Sequence, residues 1–205
     1  MSASLVGSEM CIRDSYYIAE KADGRYIVKI DSDDWIEPEY LEKLIAPFED
    51  PDVDISICGA VNYEEETGRE TPHEYGELDG VYSKSDIEKQ FIEMRSYMGT
   101  YWGKMFRREI FCSILPDMKE IGEKLKKGDN FGGDVAFALC YLGECKKLAF
   151  VNERMYHYRI HNNSYATRTI GTNRVFSCLA LRETEHHFLH KVNAVSYTHL
   201  RAHET

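Results

Sequence analysis

Apolar and polar positions along the chain follow two periods, one of strands and one of helices. Residues 26–30, Tyr-Ile-Val-Lys-Ile, are a short β-branched and aromatic run between Gly24 and Pro38, which predicts a buried strand. Residues 38–46 open with proline at a first-turn position and repeat Tyr40, Leu41, Leu44 and Ile45 at helical spacing, which predicts a helix burying those four. Asp50 and Pro51 end it, and residues 53–61 alternate as a strand. Residues 64–80 are polar and acidic with two glycines and a proline, and read as a surface excursion. A capped helix is expected over residues 83–94, with Ile87, Phe91 and Met94 facing inward. Residues 100–111 read as a strand leading into a short helix, and residues 118–127 as a basic helical stretch with a solvated face. The next helix lies within residues 131–142, where Val135, Ala138, Leu139 and Leu142 form the apolar stripe. A strand over residues 147–151 precedes an extended segment, residues 155–164. There Tyr156, Tyr158 and Ile160 share one side and His157, Arg159 and His161 the other. A last helix starts at Val175 and runs toward His190.

Composition narrows the function classes. The 205 residues allow one domain with a sizeable core, and 43% hydrophobic with 29% charged content is ordinary for a globular protein. A net charge of -10 argues against a nucleic-acid partner. No apolar stretch is long enough for a transmembrane segment. Cys11, Cys58, Cys112, Cys140, Cys145 and Cys178 lack Cys-x-x-Cys spacing, so reduced thiols in a cytoplasmic protein are expected.

Three places carry candidate chemistry. Asp31, Asp33 and Asp34 crowd the end of the first predicted strand, with Trp35 after them. Carboxylates there stay solvated, pair with cations or bind a metal, and strand ends in open α/β sheets are where ligands sit. Asp-x-Asp offers two hard oxygen ligands suited to Mg²⁺ or Mn²⁺, with diphosphate oxygens and water completing an octahedron. The plainer alternative is that Asp33 or Asp34 caps the helix opening at Pro38. Asp134 heads an apolar helix, where it is either a functional carboxylate or an N-cap. His186, His187 and His190 have metal-like spacing, but no acidic or thiol group completes a set, so a polar helix face is expected.

The string Gly24-x-Tyr-Ile-Val-x-x-Asp-Ser-Asp-Asp-Trp35 resembles the family 2 glycosyltransferases. So do Trp102-x-Lys104-x-Phe-Arg-Arg108, the Gly-x-Asp before the helix at Asp134, and Tyr156-x-Tyr-Arg-x-His-x-x-Ser164. The resemblance implies an α/β fold, a partial GT-A sheet (Rossmann-like) flanked by helices and lacking its first strands. It implies that Asp31 and Asp33 hold the Mg²⁺ or Mn²⁺ of a nucleotide-diphosphate sugar, foremost a UDP-sugar, with His161 as a third protein ligand as in some relatives. Lys104, Arg159 and His161 would reach the diphosphate, while Trp102 faces either the acceptor or the core. Asp134 would be the catalytic base. The family carries a Glu-Asp pair there, and this chain has Gly133 before Asp134, which removes a neighbouring carboxylate.

The implied reaction is single displacement with inversion onto an acceptor hydroxyl. Its expected setting is bacterial surface-polysaccharide synthesis on a saccharide or lipid-linked acceptor, at the inner face of the membrane. The alternatives are an incomplete or non-catalytic carbohydrate-binding or assembly module, and phosphoryl transfer on an Asp-x-Asp-x-Thr loop, against which Trp35 stands. No nucleophile elbow supports a hydrolase. Residues 1–15 and 194–205 resemble translated sequencing-adaptor read-through, so the native domain is expected over residues 16–193. The family's first strands and nucleobase pocket would then precede this chain, which would be the C-terminal two-thirds of an enzyme.

Overall fold

The computed structural model describes residues 9–73, 79–90, 94, 97, 99–125, 132–161 and 181–182. The strands are β1 (Tyr26–Val28), β2 (Trp35–Ile36), β3 (Val53–Glu64), β4 (Arg69–Pro72), β5 (Gly80–Ser83), β6 (Lys104–Arg107) and β7 (Lys147–Ile160). Among the described residues they form one seven-stranded sheet in the order β1-β6-β3-β7-β2, with β4 pairing β3 and β5 pairing β7. The helices are α1 (Glu9–Lys21), α2 (Tyr40–Ile45), α3 (Lys84–Lys89), α4 (Arg108–Ser113), α5 (Leu115–Leu125) and α6 (Gly133–Glu144).

Alternation along the strands sends side chains to two cores, one on each face. Ile27, Ile55, Ile57, Phe106, Leu148 and Phe150 join Phe111, Phe137, Tyr141 and Leu142 of α4 and α6 in the larger one. Met105, Cys58, Ala149 and Tyr156 join Tyr40 and Leu44 of α2 and Trp102 in the other. Phe106 meets Phe111, Phe137 and Tyr141 edge-on at centroid distances of 6.0, 5.4 and 5.1 Å. Each such buried aromatic contributes about 1.5–3 kcal/mol of transfer free energy.

Strand directions sort the polar residues to two ends of this sheet. β6 runs antiparallel to β1 and β3, whereas β7 runs parallel to β3. Asp54, Arg107 and Lys146 therefore gather at one end. Arg107 Nε donates to Asp54 Oδ1 (3.1 Å) and the Lys146 N–H to Asp54 Oδ2 (2.7 Å). Arg107 Nη2 donates to the carbonyls of Pro51 and Val53, and the Tyr141 hydroxyl donates to the Asp54 carbonyl (2.7 Å). Arg108 Nε donates to the Ala22 carbonyl (2.6 Å) and Nη2 to the Ala19 carbonyl (3.3 Å), supplying donors where the last carbonyls of α1 lack backbone N–H partners. The paired arginines of the Trp-x-Lys-x-Phe-Arg-Arg segment thus hold the scaffold together.

Several expectations are corrected. β1 ends at Val28, and Ile30 is exposed, because the chain turns into the acidic loop before a fifth strand residue can pair. On α2 only Tyr40 and Leu44 are buried; Leu41 and Ile45 face outward, so one row of the predicted stripe meets the sheet and the other does not. Part of the expected surface excursion is a hairpin of β3 and β4 that turns at Gly68, a residue with φ of 66°. The two expected segments after residue 147 are one strand. Its polar interruption at Asn152 and Glu153 is a bulge, with Cys58 opposite Val151 and Gly59 opposite Arg154. A Cβ on Gly59 would lie 3.0 Å from Arg154 Cγ and 3.2 Å from the Glu153 carbonyl oxygen, so a side chain there would press on the bulge.

Helix α1 covers Glu9–Lys21, and Ser15 is buried against the Tyr101 hydroxyl at 2.9 Å. Helix α5 begins at Leu115 and buries Met118 and Ile121. Ser83 and Asp86 form the foreseen capping box of α3, and Ile87 and Met94 are buried. Phe91, the three histidines His186, His187 and His190, and residues 194–205 lie outside the described residues; of the helix expected from Val175 toward His190, Leu181 and Arg182 are described and are helical.

Candidate functional site

The opposite end of the sheet is the acidic loop that leaves β1. Three carboxylates within four residues repel one another, so the loop needs fixed partners. They come chiefly from β7, 120 or more residues downstream. The Tyr156 hydroxyl accepts from the Asp31 N–H (3.1 Å) and donates to Asp34 Oδ2 (2.7 Å). The Arg159 N–H donates to Asp34 Oδ1 (2.8 Å), and Arg159 Nε donates to the Asp33 carbonyl (2.8 Å). The Asp34 N–H closes the turn onto the Asp31 carbonyl (3.2 Å). Burial raises the Asp34 pKa against the lowering effect of its two hydrogen bonds, and the charges of Asp33 and Asp31 raise it further.

The three carboxylates are thereby differentiated. Asp34 turns inward and anchors the loop. Asp31 meets Lys29 Nζ at 3.0 Å, and that ammonium also lies 5.3 Å from the Tyr101 ring centroid. Asp33 is half exposed and lies 3.2 Å from His161 Nε2, so the fold brings these two candidate residues together. Neither Asp33 nor Asp34 caps α2, whose N-cap position, Glu39, makes no side-chain cap. The foreseen sidedness of β7 also holds. Tyr156 and Tyr158 both stack on Trp102 (4.8 and 5.4 Å), while Arg159 and His157 both face Trp35.

Two cations expected at the diphosphate are engaged elsewhere in this conformation. The Arg159 guanidinium bonds the Asp33 carbonyl and Glu65 Oε1 (3.1 Å) and lies over Trp35 and Tyr63. Lys104 is fully buried, with Nζ donating to Thr100 Oγ1 (2.8 Å) and the Trp102 carbonyl (3.0 Å). Burial lowers its pKa to about 7, opposed by the charges of Cys58 and Asp134. Burial also pushes the Cys58 thiol up to about 12, so Asp134 is the anion that Lys104 senses at neutral pH. Trp102 is core, 6% exposed.

Asp134 sits inside the first turn of α6, not at its N-cap. Gly132 takes the cap with φ of 89°, and a Cβ there would approach Leu181 Cδ1 to 2.1 Å. β6 places Lys104 beside Met105, the partner of Val28. Lys104 is therefore next to the exit of β1 and in the electrostatic reach of Asp134. Among the described residues no group of three or more His, Cys, Asp or Glu side chains is disposed to hold a metal ion alone. Asp33 with His161 supplies an oxygen and a nitrogen donor, and Asp31, whose Oδ1 meets Lys29, adds a carboxylate on the same loop. This donor set fits a divalent cation whose other ligands arrive with a diphosphate.

Sequence reading missed Asp34 and Tyr156 as the pair that fixes the loop. The only available signal was the Tyr-x-Tyr-Arg segment, and its link to the loop depends on the pairing of β2 with β7.

Residues 16–115 match the model of glycosyl transferase family 2. That stretch belongs to the family. The matched stretch contains Asp31, Asp33, Asp34 and Lys104, whereas Asp134, Arg159 and His161 lie beyond it. EpsH of Bacillus subtilis strain 168, a glycosyltransferase by name, is 31% identical over 175 residues, which are 85% of this chain and 48% of EpsH. Glycosyltransferase GlyA of Streptococcus pneumoniae is 27% identical over 147 residues, 69% of this chain and 20% of GlyA. The chain thus spans about half the length of one relative and less of the other. The crystal structure of S. aureus TarS 1–349 in complex with UDP-GlcNAc matches with a TM-score of 0.56 at 14% identity, over 86% of this chain and 49% of that one. The fold is accordingly an α/β, GT-A-like one, present in part.

Proposed function

We propose that this chain carries the acidic side of the donor site, and the base, of a glycosyltransferase using a nucleotide-diphosphate sugar, foremost a UDP-sugar. The observation that supports it is the meeting of Asp33 and His161 on a loop fixed by β7, in a chain that carries a family 2 stretch. Asp33, His161 and Asp31 would hold Mg²⁺ or Mn²⁺. Such an ion neutralises charge on the departing diphosphate. Arg159 orients the loop through the Asp33 carbonyl. Asp134 takes the proton of the acceptor hydroxyl as that oxygen attacks the anomeric carbon, a contribution of roughly 10²–10⁴-fold. With one base opposite the leaving group, the sugar changes anomeric configuration.

The acceptor in this reading is a saccharide or lipid-linked saccharide, in bacterial surface-polysaccharide synthesis at the cytoplasmic face of the membrane. Among the described residues no helix is long and apolar enough to cross a membrane. The test is release of UDP from UDP-sugars with and without EDTA, with the anomeric configuration of the product read by NMR. Metal-dependent release with inversion is expected, and retention would contradict the single-displacement step. Gly133, where the family has Glu, favours a second reading as a donor-binding module, which predicts UDP-sugar binding with no turnover.

A further inference from the structure

We infer that Tyr156 is a positioning residue of the donor site: its hydroxyl, bridging the Asp31 N–H and the Asp34 carboxylate, sets the loop that presents Asp31 and Asp33 to a metal–diphosphate. The inference rests on the function proposed above. Tyr156 is fully buried, and its ring stacks on Trp102 at 4.8 Å with planes 10° apart, so its position is fixed from behind by the core. From that platform the hydroxyl makes two bonds to the loop, accepting at 3.1 Å and donating at 2.7 Å. The first holds the backbone of one proposed ligand. The second holds the residue next to the other. Asp34 receives its remaining bond from the Arg159 N–H, three residues further along the same strand. Two of the three adjacent carboxylates thus take their place from a single phenolic oxygen.

The geometry separates the ring from the hydroxyl. The ring fills the core, and phenylalanine preserves it. The hydroxyl touches only the loop in the bonds described, so its removal alters loop geometry with little change in core volume. Asp34 then loses a donor while staying inside, which biases the loop toward conformations that solvate it.

The test is calorimetric titration of UDP into the chain with Mn²⁺ and with EDTA, for the unsubstituted protein, Tyr156→Phe and Tyr158→Phe. Tyr158→Phe makes the same chemical change on the other ring stacked on Trp102. Tyr156→Phe is expected to weaken Mn²⁺-dependent UDP binding about tenfold, the effect of losing a bond to a charged group. Stoichiometry and melting temperature should stay close to those of the unsubstituted chain, and Tyr158→Phe should leave the affinity unchanged. An unchanged affinity in Tyr156→Phe, with only stoichiometry or melting temperature reduced, would overturn the inference in favour of a purely structural tyrosine. Should Tyr156→Phe fail to fold, Asp34→Asn removes the charged acceptor with the ring in place. It is expected to show the same weakening, and full affinity there would overturn the inference. If the unsubstituted chain shows no Mn²⁺-dependent binding, the proposed function fails and this inference with it. That result is distinct from binding that Tyr156→Phe leaves intact.

Discussion

The two ends of the sheet use the same residue types to opposite effect. At one end Asp54 is 3% exposed, and both carboxylate oxygens are bonded, to Arg107 and to the Lys146 N–H. At the other end Asp34 is bonded in the same manner, to Tyr156 and the Arg159 N–H, but it holds Asp33 beside it half exposed and facing a histidine. A saturated carboxylate stabilises the scaffold. An unsaturated one, fixed by a saturated neighbour, is available to a ligand. The chemistry of the molecule therefore follows from which acceptors folding leaves open, and motif spelling alone does not reveal that.

Substitutions at the two ends should part accordingly, and the largest effect is expected on turnover. Asp134→Ala should lower the rate of UDP release by roughly 10²–10⁴-fold while the denaturation midpoint and UDP affinity hold. Parallel loss of affinity would show that Asp134 belongs to the donor site rather than to the proton transfer. Arg107→Ala should do the reverse. It leaves Asp54 buried without its cation, which costs about 3–5 kcal/mol in chemical denaturation, while UDP affinity per folded molecule is unchanged.

Lys104 sharpens the comparison through pH. Its folded pKa, about 7, lies below the ordinary lysine value, so the folded state releases the proton first. The unfolded chain binds more protons between about pH 7 and the usual lysine range, and the Lys104 contribution to stability rises with pH across that window. Lys104→Met should abolish that rise, as read from urea midpoints at several pH values, and a preserved rise would show that burial does not set the charge of this group. The smallest effect belongs to the exposed pair of Asp50 and Lys147, 2.7 Å apart. The Lys147 ammonium holds the Asp50 carboxyl below the usual aspartate value. Its stabilisation is present above that usual value and is lost as pH falls through the lowered one. Lys147→Met should flatten that part of the acid limb and leave neutral-pH stability nearly unchanged.

What the sequence made legible was local. The capping box at Ser83 and the sidedness of residues 156–161 arise from neighbouring positions, and the structure realises them; the strands expected before Asp31 and from Val53 form too, but β1 stops at Val28 and the first six residues of β3 are buried on both faces. Ranking the three loop carboxylates was not legible, because the groups that rank them sit on β7 and reach the loop only through sheet pairing. The burial of Lys104 was hidden for the same reason: in sequence it is a lysine beside Trp102, and only the packing of β6 between β1 and β3 encloses it. The single strand β7 was read as two because Asn152 and Glu153 look like a loop when the bulge opposite Gly59 is not in view.

The central claim is that Asp33 is the open carboxylate of a loop held ready for a metal and a diphosphate. The most direct test is the Mn²⁺ dependence of UDP binding by calorimetry, for the chain and for Asp33→Ala. Binding should require Mn²⁺ in the unsubstituted chain and be lost in Asp33→Ala with the denaturation midpoint retained. Equal, metal-independent binding in both would contradict that claim, as would no UDP binding to the folded, unsubstituted chain.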